Sequence, residues 1–250
     1  MALINPYPSK EHRVFNRTFL QQTEVNVKFS PTIDVVLFRE RIAPYALKYF
    51  GFDISAKSEP DANTAKIEAV GEQKQYSFGL DFARIIVGPK SYDTFAETIL
   101  PLIPRLQAFL TEVVQISTPI ELNVTKRNAW PFKVENAFDD FTDAIGFVFS
   151  KKYVEDMCSY KFTENPQPVQ LSKMSTEDFG DQIKLDRKII AEASNKGKIY
   201  LELALSTTAP NVAVADISAD SVILNDIIYN NFIEYVSDDI IDLMNNDSND

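Results

Sequence analysis

Hydrophobic and polar positions recur along this chain with two different periods, and the periods divide it into elements. The longest helical pattern covers residues 91–115. There Tyr92, Phe95, Ala96, Ile99, Leu102, Ile103, Leu106, Phe109, Leu110 and Val113 return at steps of three and four, the spacing of one helix face turned into a core. Ser91 is placed to cap its start, and Asp93 to meet the positive end of the helix dipole. Pro101 and Pro104 each remove a backbone donor and crowd the preceding turn. The stretch is therefore expected to kink or to split into two abutting helices.

The shorter period predicts strands. Leu20, Val25, Val27 and Phe29 mark one within 19–29, with the alternation clearest from Val25. Ser30-Pro31-Thr32 has the form of a helix start, and the following residues predict a helix over 33–50, bent at Pro44 and closed by Gly51. Phe52-Asp53-Ile54 can begin a strand. Residues 65–70 and 76–87 predict two antiparallel strands joined through Gly71 to Lys74. Ile120, Leu122 and Val124 alternate with Glu121, Asn123 and Thr125, a short strand running to Asn128. Helical spacing returns at Phe138, Phe141, Ile145, Val148 and Phe149, weakened by Gly146. Residues 162–174, 182–193 and 198–207 predict a three-stranded meander with a hairpin turn at Asn195-Lys196-Gly197. Residues 212–217 fit a fourth strand. A closing helix is expected from a cap at Asp220 or Ser221 to Met244, with Leu224, Ile228, Phe232, Tyr235, Val236, Ile240 and Leu243 on its apolar face.

Strands and helices thus recur in a similar order twice. The pattern predicts an α+β fold with antiparallel sheets, helices packed on one face, and an arrangement open to two similar halves. The corresponding division is an extended arm at 1–18, halves at 19–115 and 116–244, and a frayed acidic tail at 245–250. A single domain over 19–244 is the other reading.

Composition narrows the function classes. The chain has 250 residues and a net charge of −11, which repels phosphate backbones at long range and disfavours nucleic acid as a partner. No stretch approaches the roughly 20 apolar residues of a membrane helix, and the N-terminus lacks the basic start and apolar run of a secretory signal. The lone cysteine, Cys158, fits a reducing compartment. These features lead us to expect a soluble cytoplasmic protein, for which a homodimer is the commonest oligomer.

Candidate chemistry is sparse. With one histidine (His12) and one cysteine, a zinc site would need mostly carboxylates. No phosphate loop or nucleophile elbow is present, and no cofactor is expected. Asp139, Asp140 and Asp143 would share a helical face and form an alternative divalent-metal site, against the default reading of a solvated acidic surface. Cys158 reads as structural, and His12 as an exposed bystander. One segment differs from the acidic background: Lys126, Arg127, Asn128, Trp130 and Lys133, with Phe132. As a cation–aromatic surface it could bind a partner. Alternatively, Trp130 and Phe132 enter the core while the cations stay in water.

Several segments carry a family resemblance. Residues 18–29 resemble the opening strand of the sporadically distributed bacterial "sporadTIGR" family. Tyr92, Phe95, Ile99 and Leu106 resemble its central helix, 126–132 its Arg- and Asn-containing strand, and Asp216-Ile217 with Ile227, Phe232 and Leu243 its closing strand and helix. The histidine usual in that helix is replaced here by Ile228 or Tyr229. The resemblance implies a bacterial protein of mixed α and β structure from a horizontally transferred system, such as defence or toxin–antitoxin modules, and assigns no reaction. The expectation is a non-enzymatic binding protein with a protein partner. The alternatives are a carboxylate- and metal-dependent hydrolase and a phage or virus-like structural protein.

Overall fold

Strand β1 (Leu20–Lys28) buries Thr23, Val25 and Val27 and turns Gln22, Glu24 and Asn26 to the opposite side, as a pleated strand with one covered face must. Seven further strands extend this division: β2 (Thr64–Ala69), β3 (Lys74–Gly79), β4 (Phe82–Val87), β5 (Ile120–Lys133), β6 (Val169–Phe179), β7 (Ile183–Ser194) and β8 (Lys198–Val212). This computed structural model describes residues 3–8, 12–15, 18–31, 64–69, 73–135, 140–151, 153, 169–194 and 197–246. The eight strands form one sheet in the order β2-β3-β4-β1-β5-β8-β7-β6, and every neighbouring pair is antiparallel. The first four strands and the last four are mirrored in order about the β1–β5 seam. The expected α+β architecture, antiparallel with helices on one face, is what the chain adopts.

The covered face carries the apolar rows. Val25 stands between Ile85 and Val124, and Val27 between Ala83 and Leu122. On the far side Thr207 and Ala209 continue these two rows, and Leu205, Leu203 and Leu201 stand opposite Lys126, Asn128 and Trp130. Four helices pack here: α1 (Ile103–Glu112), α2 (Phe141–Val148), α3 (Ile217–Tyr235) and α4 (Asp238–Asn245). Phe109 of α1 meets Phe78 with ring centroids 4.7 Å apart, and Phe149 after α2 meets Trp130 at 5.9 Å. The other face is polar. Asn123 donates to Ser206 and Thr208 at 2.8 and 2.9 Å, and Glu24 takes a hydrogen bond from Gln22 at 3.1 Å beside Arg84.

Two local devices fit the chain to this sheet. The β1–β5 register shifts between Leu20 and Gln22, a bulge that reverses the parity of β1 and sends Leu20 to the covered face. Pro131 lies inside β5, opposite Tyr200. Ala129, two residues before it, donates its N–H towards Phe19 at 3.0 Å. The nitrogen of Pro131 therefore faces the side where β1 has ended, and no ladder bond is lost.

Several boundaries differ from expectation. Residues 91–115 are not one helix. A π-type turn, Phe95–Ile99, and a 3₁₀ turn, Leu100–Leu102, precede α1, which carries Pro104 in its first turn. The cap is Thr94, which accepts from the Glu97 N–H at 3.1 Å, rather than Ser91. The proline spacing decides this, because each proline suits only the first turn of its own helix. Residues 76–87 are two strands, since Gly79 and Asp81 turn the chain between β3 and β4. Strand β6 runs later than expected and turns at Gly180, with φ +60°. Residues 212–217 are the end of β8 and a 3₁₀ turn, not a fourth strand. The closing helix starts at Ile217, not at a cap on Asp220 or Ser221, and breaks at Val236, which pairs with Phe149 in a β-bridge. The helix expected over 33–50, the strand at 52–54, Phe138, Cys158 and the Asn195-Lys196 part of the hairpin turn lie outside the described residues. Gly197 does adopt φ +65°, where a Cβ would lie 2.3 Å from the Val134 carbonyl oxygen.

The helix break is held by Ser237, whose hydroxyl accepts from the Ile240 N–H at 3.2 Å and donates to the Phe147 carbonyl. Ser237→Ala removes both bonds and is expected to cost about 1–2 kcal/mol, measured as a shift in the urea midpoint without a change in slope.

Candidate functional site

The alternation of β5 divides the cation–aromatic segment between the two faces of the sheet. Arg127 and Lys133 point to the polar side. Lys126, Asn128 and Trp130 point to the helix-covered side with Val124. Trp130 is core, 1% exposed, between Phe19 and Phe149. Lys133 is exposed. Arg127 is structural in its contacts: its guanidinium makes a bidentate pair with Glu202, with bonds of 3.1 and 2.9 Å from one nitrogen. Tyr200 donates to the same carboxylate at 2.7 Å. The five residues therefore do not form one surface.

Lys126 and Asn128 instead line a cavity of about 540 Å³. Its floor is β5. One wall is the turn Phe95–Ile99 with Tyr92 and Thr94 before it, and another is α3 through Val222, Asn225, Asp226, Ile228, Tyr229 and Phe232. Its cover is the N-terminal arm, through residues 12–15. The position of α3 is fixed by Thr207, a buried hydroxyl placed to donate to Leu224 O at 3.2 Å and to Val124 O at 3.4 Å. That link sets Asn225 one residue from the crossing and brings it over the strand position next to Lys126.

The arm is tied down along α3. Asn231 donates to Tyr7 Oη at 3.0 Å, the Arg13 N–H donates to Tyr229 Oη at 2.9 Å, and Asn5 reaches Asp226 at 3.5 Å. His12 is not a bystander. Its ring stacks on Tyr229 with centroids 4.0 Å apart, and its Nε2 lies 2.9 Å from Asp226 Oδ1. Asp226 is thereby engaged by His12 and Asn5.

Three polar side chains in the cavity have no such engagement. Lys126 has no hydrogen bond or ion pair among the described residues. Its ammonium lies 5.2 Å from the Tyr92 ring centroid and 5.6 Å from that of Phe95, a cation–π setting. Burial pulls its pKa down to about 8, and the negative charge of Asp226 opposes this only in part. Asn128 and Asn225 are 6% and 3% exposed. Neither side chain makes a hydrogen bond among the described residues, and the Oδ1 of Asn225 is shut off from solvent. Buried polar groups are normally paired, so two buried amides and a half-buried cation without hydrogen bonds around one cavity are the strongest functional signal among the described residues. The apolar remainder includes Leu20, Phe95, Ile228 and Phe232, and the mouth is edged by Val14 and Val222, 72% and 37% exposed.

The acidic candidates fall elsewhere. Asp143 is exposed in the first turn of α2, and Asp140 is the residue before that helix. Asp139 lies outside the described residues. No group of three metal-ligating side chains occurs among the described residues.

Parity was the available signal for Lys126 and Asn128, since both share the inward row with Leu122 and Val124. Asn225 and Asp226 likewise interrupt the hydrophobic run of α3. The bulge at Leu20 and the path of the arm had no comparable sequence mark. No family model matches the chain, and no curated protein matches it.

Two outcomes follow for this region. Arg127→Ala leaves the carboxylate of Glu202, a residue 4% exposed, without its cation. It is expected to destabilise the fold by about 2 kcal/mol, and Glu202→Gln in the same chain to recover most of the loss in chemical denaturation. Lys126 behaves oppositely. Its folded pKa, about 8, lies below the unfolded value of 10.5. Below pH 8 the enclosed ammonium is a cost, and between pH 8 and 10.5 the unfolded chain binds more protons, so the cost fades as pH rises. Lys126→Met should raise the Tm at pH 7 and give a smaller gain at pH 10, as checked by melts at both pH values.

Proposed function

We propose that this protein is a non-enzymatic binding protein whose ligand site is the cavity between β5, α3 and the N-terminal arm. The observation that carries this reading is the convergence of Lys126, Asn128 and Asn225 on one cavity without hydrogen bonds from their side chains among the described residues. A cavity kept only for packing would hold apolar groups there, because a buried amide without a hydrogen bond costs about 1–3 kcal/mol. A volume near 540 Å³ lies in the range of small-molecule sites, as does the mixture of apolar walls with a few polar groups. The arm supports the same reading. It covers the cavity through contacts of Tyr7, His12 and Arg13 with α3. The binding role expected for Lys126 and Asn128 is retained in this proposal, in an enclosed site. Arg127, Trp130 and Lys133 have no part in it.

The test joins stability to binding. Asn225→Leu, close in volume, should raise the Tm by a few degrees and abolish ligand-induced shifts. Functional sites show this trade because their groups are arranged for a ligand instead of for the fold. Binding is read by methyl-resolved NMR during titration with small amphipathic molecules, with shifts expected at Leu20, Val222, Ile228 and Met244. If Asn225→Leu destabilises the fold and no probe moves those methyls, the cavity is not a ligand site.

A further inference from the structure

We infer that the ligand is a small amphipathic monocarboxylate, with its head on Lys126 and its apolar body against Phe95, Ile228 and Phe232. This rests on the reading of the cavity as a ligand site and specifies the chemical class that the site takes.

The head group follows from the charges that line the cavity. Lys126 is a cation facing two aromatic rings with no carboxylate in ion-pair distance among the described residues. Asp226, the nearby negative charge, lies 2.9 Å from His12 Nε2 and 3.5 Å from Asn5. Lys126 therefore has no carboxylate at bonding distance among the described residues, and a ligand carboxylate would supply one. Asn128 and Asn225 would complete the seat, each with an amide N–H₂ to donate, and Asn225 Oδ1 remains an acceptor for a hydroxyl or amide N–H on the ligand. A charge-assisted bond in an enclosed site is stronger than a neutral one.

The same residues argue against a phosphate. Asp93 and Asp226 both line the cavity and would repel a dianion about twice as strongly as a monoanion. Helix α3 presents its middle turns, at 222–232, not its N-terminus, so its own free backbone N–H groups lie away from the space. No glycine lines the cavity among the described residues. The apolar body follows from the walls, and the exposed valines at the mouth, Val14 and Val222, suit a chain that reaches outwards past the arm.

The experiment compares three probes that share one tail: decanoate, decanol and decyl phosphate. Each is titrated calorimetrically into the full-length protein and into Lys126→Met, with the methyl shifts above locating the binding. The expected result is that decanoate binds the wild type at least about tenfold more tightly than decanol, equivalent to about 1.4 kcal/mol. In Lys126→Met that preference disappears, and decanoate binds no more tightly than decanol. Equal affinities for decanoate and decanol in the wild type overturn the carboxylate but leave the cavity as a ligand site. Tighter binding of decyl phosphate than of decanoate overturns it in favour of a phosphate head. If none of the three binds, the inference and the ligand-site reading both fall. Should Lys126→Met fold poorly, Lys126→Gln serves for the same comparison, since it keeps a neutral polar group in the seat.

Discussion

Strand β5 is hydrogen-bonded on both sides, to β1 and to β8, and the rest of the molecule depends on that double pairing. A strand held on both edges cannot twist its side chains to suit local need, because each position is committed to one face. Ile120, Leu122 and Val124 are therefore buried beneath the helices, and so is Asn128, while Lys126 in the same row is half-buried at the cavity. The cation is enclosed because of its parity. Arg127, one residue on, reaches the polar face and finds Glu202. Adjacent cations in sequence thus have opposite electrostatic settings, one paired and one not.

The same commitment explains how α3 is used. A helix on an open sheet ordinarily shows one apolar stripe, yet α3 buries Leu224, Ile228 and Phe232 together with Asp220, Asn225 and Asn231. Its sheet side is fixed by Thr207, and the arm lies along another side through Tyr7, His12 and Arg13. Asn231 illustrates a satisfied buried amide. It donates to Tyr7 Oη and to the Ile227 carbonyl, and its oxygen accepts from Arg187 at 3.0 and 2.7 Å. Asn225, less than two turns earlier on the same helix, has none of these bonds. The contrast is local and chemical, since the two residues share type, element and depth.

Much of the fold was legible because it rests on patterns that tertiary contacts reinforce. The alternation of Val25 and Val27, the row from Ile120 to Val124 and the apolar face of α3 all survive. What failed were points at which one residue changes the rule. Gln21 adds a bulge and reverses the parity of Leu20. Gly79 and Asp81 turn a continuous apolar run into two strands. Ser237 caps a new helix within what reads as one periodic face. The site was half legible. The strand read to Asn128 extends to Lys133, and carrying its parity that far would have separated Lys126 from Arg127. The placing of His12 against Asp226 depends on a separation of more than 200 residues, which local spacing does not encode.

Fold and site make opposite demands on the inward row of β5. Burial of Val124 and Trp130 stabilises the sheet, whereas Lys126 between them in the row gives up solvation without gaining an ion pair. A fold under selection for stability alone would place leucine or methionine there, since a buried charge without a partner is among the costliest features a core can carry. The cost is bearable here for two reasons. The rings of Tyr92 and Phe95 return part of the lost solvation as cation–π attraction. The cavity also leaves the ammonium room that a packed core would not. That combination leaves Lys126 without a carboxylate at bonding distance among the described residues. The groups that make the site costly to the free protein are the ones that a complementary ligand would satisfy.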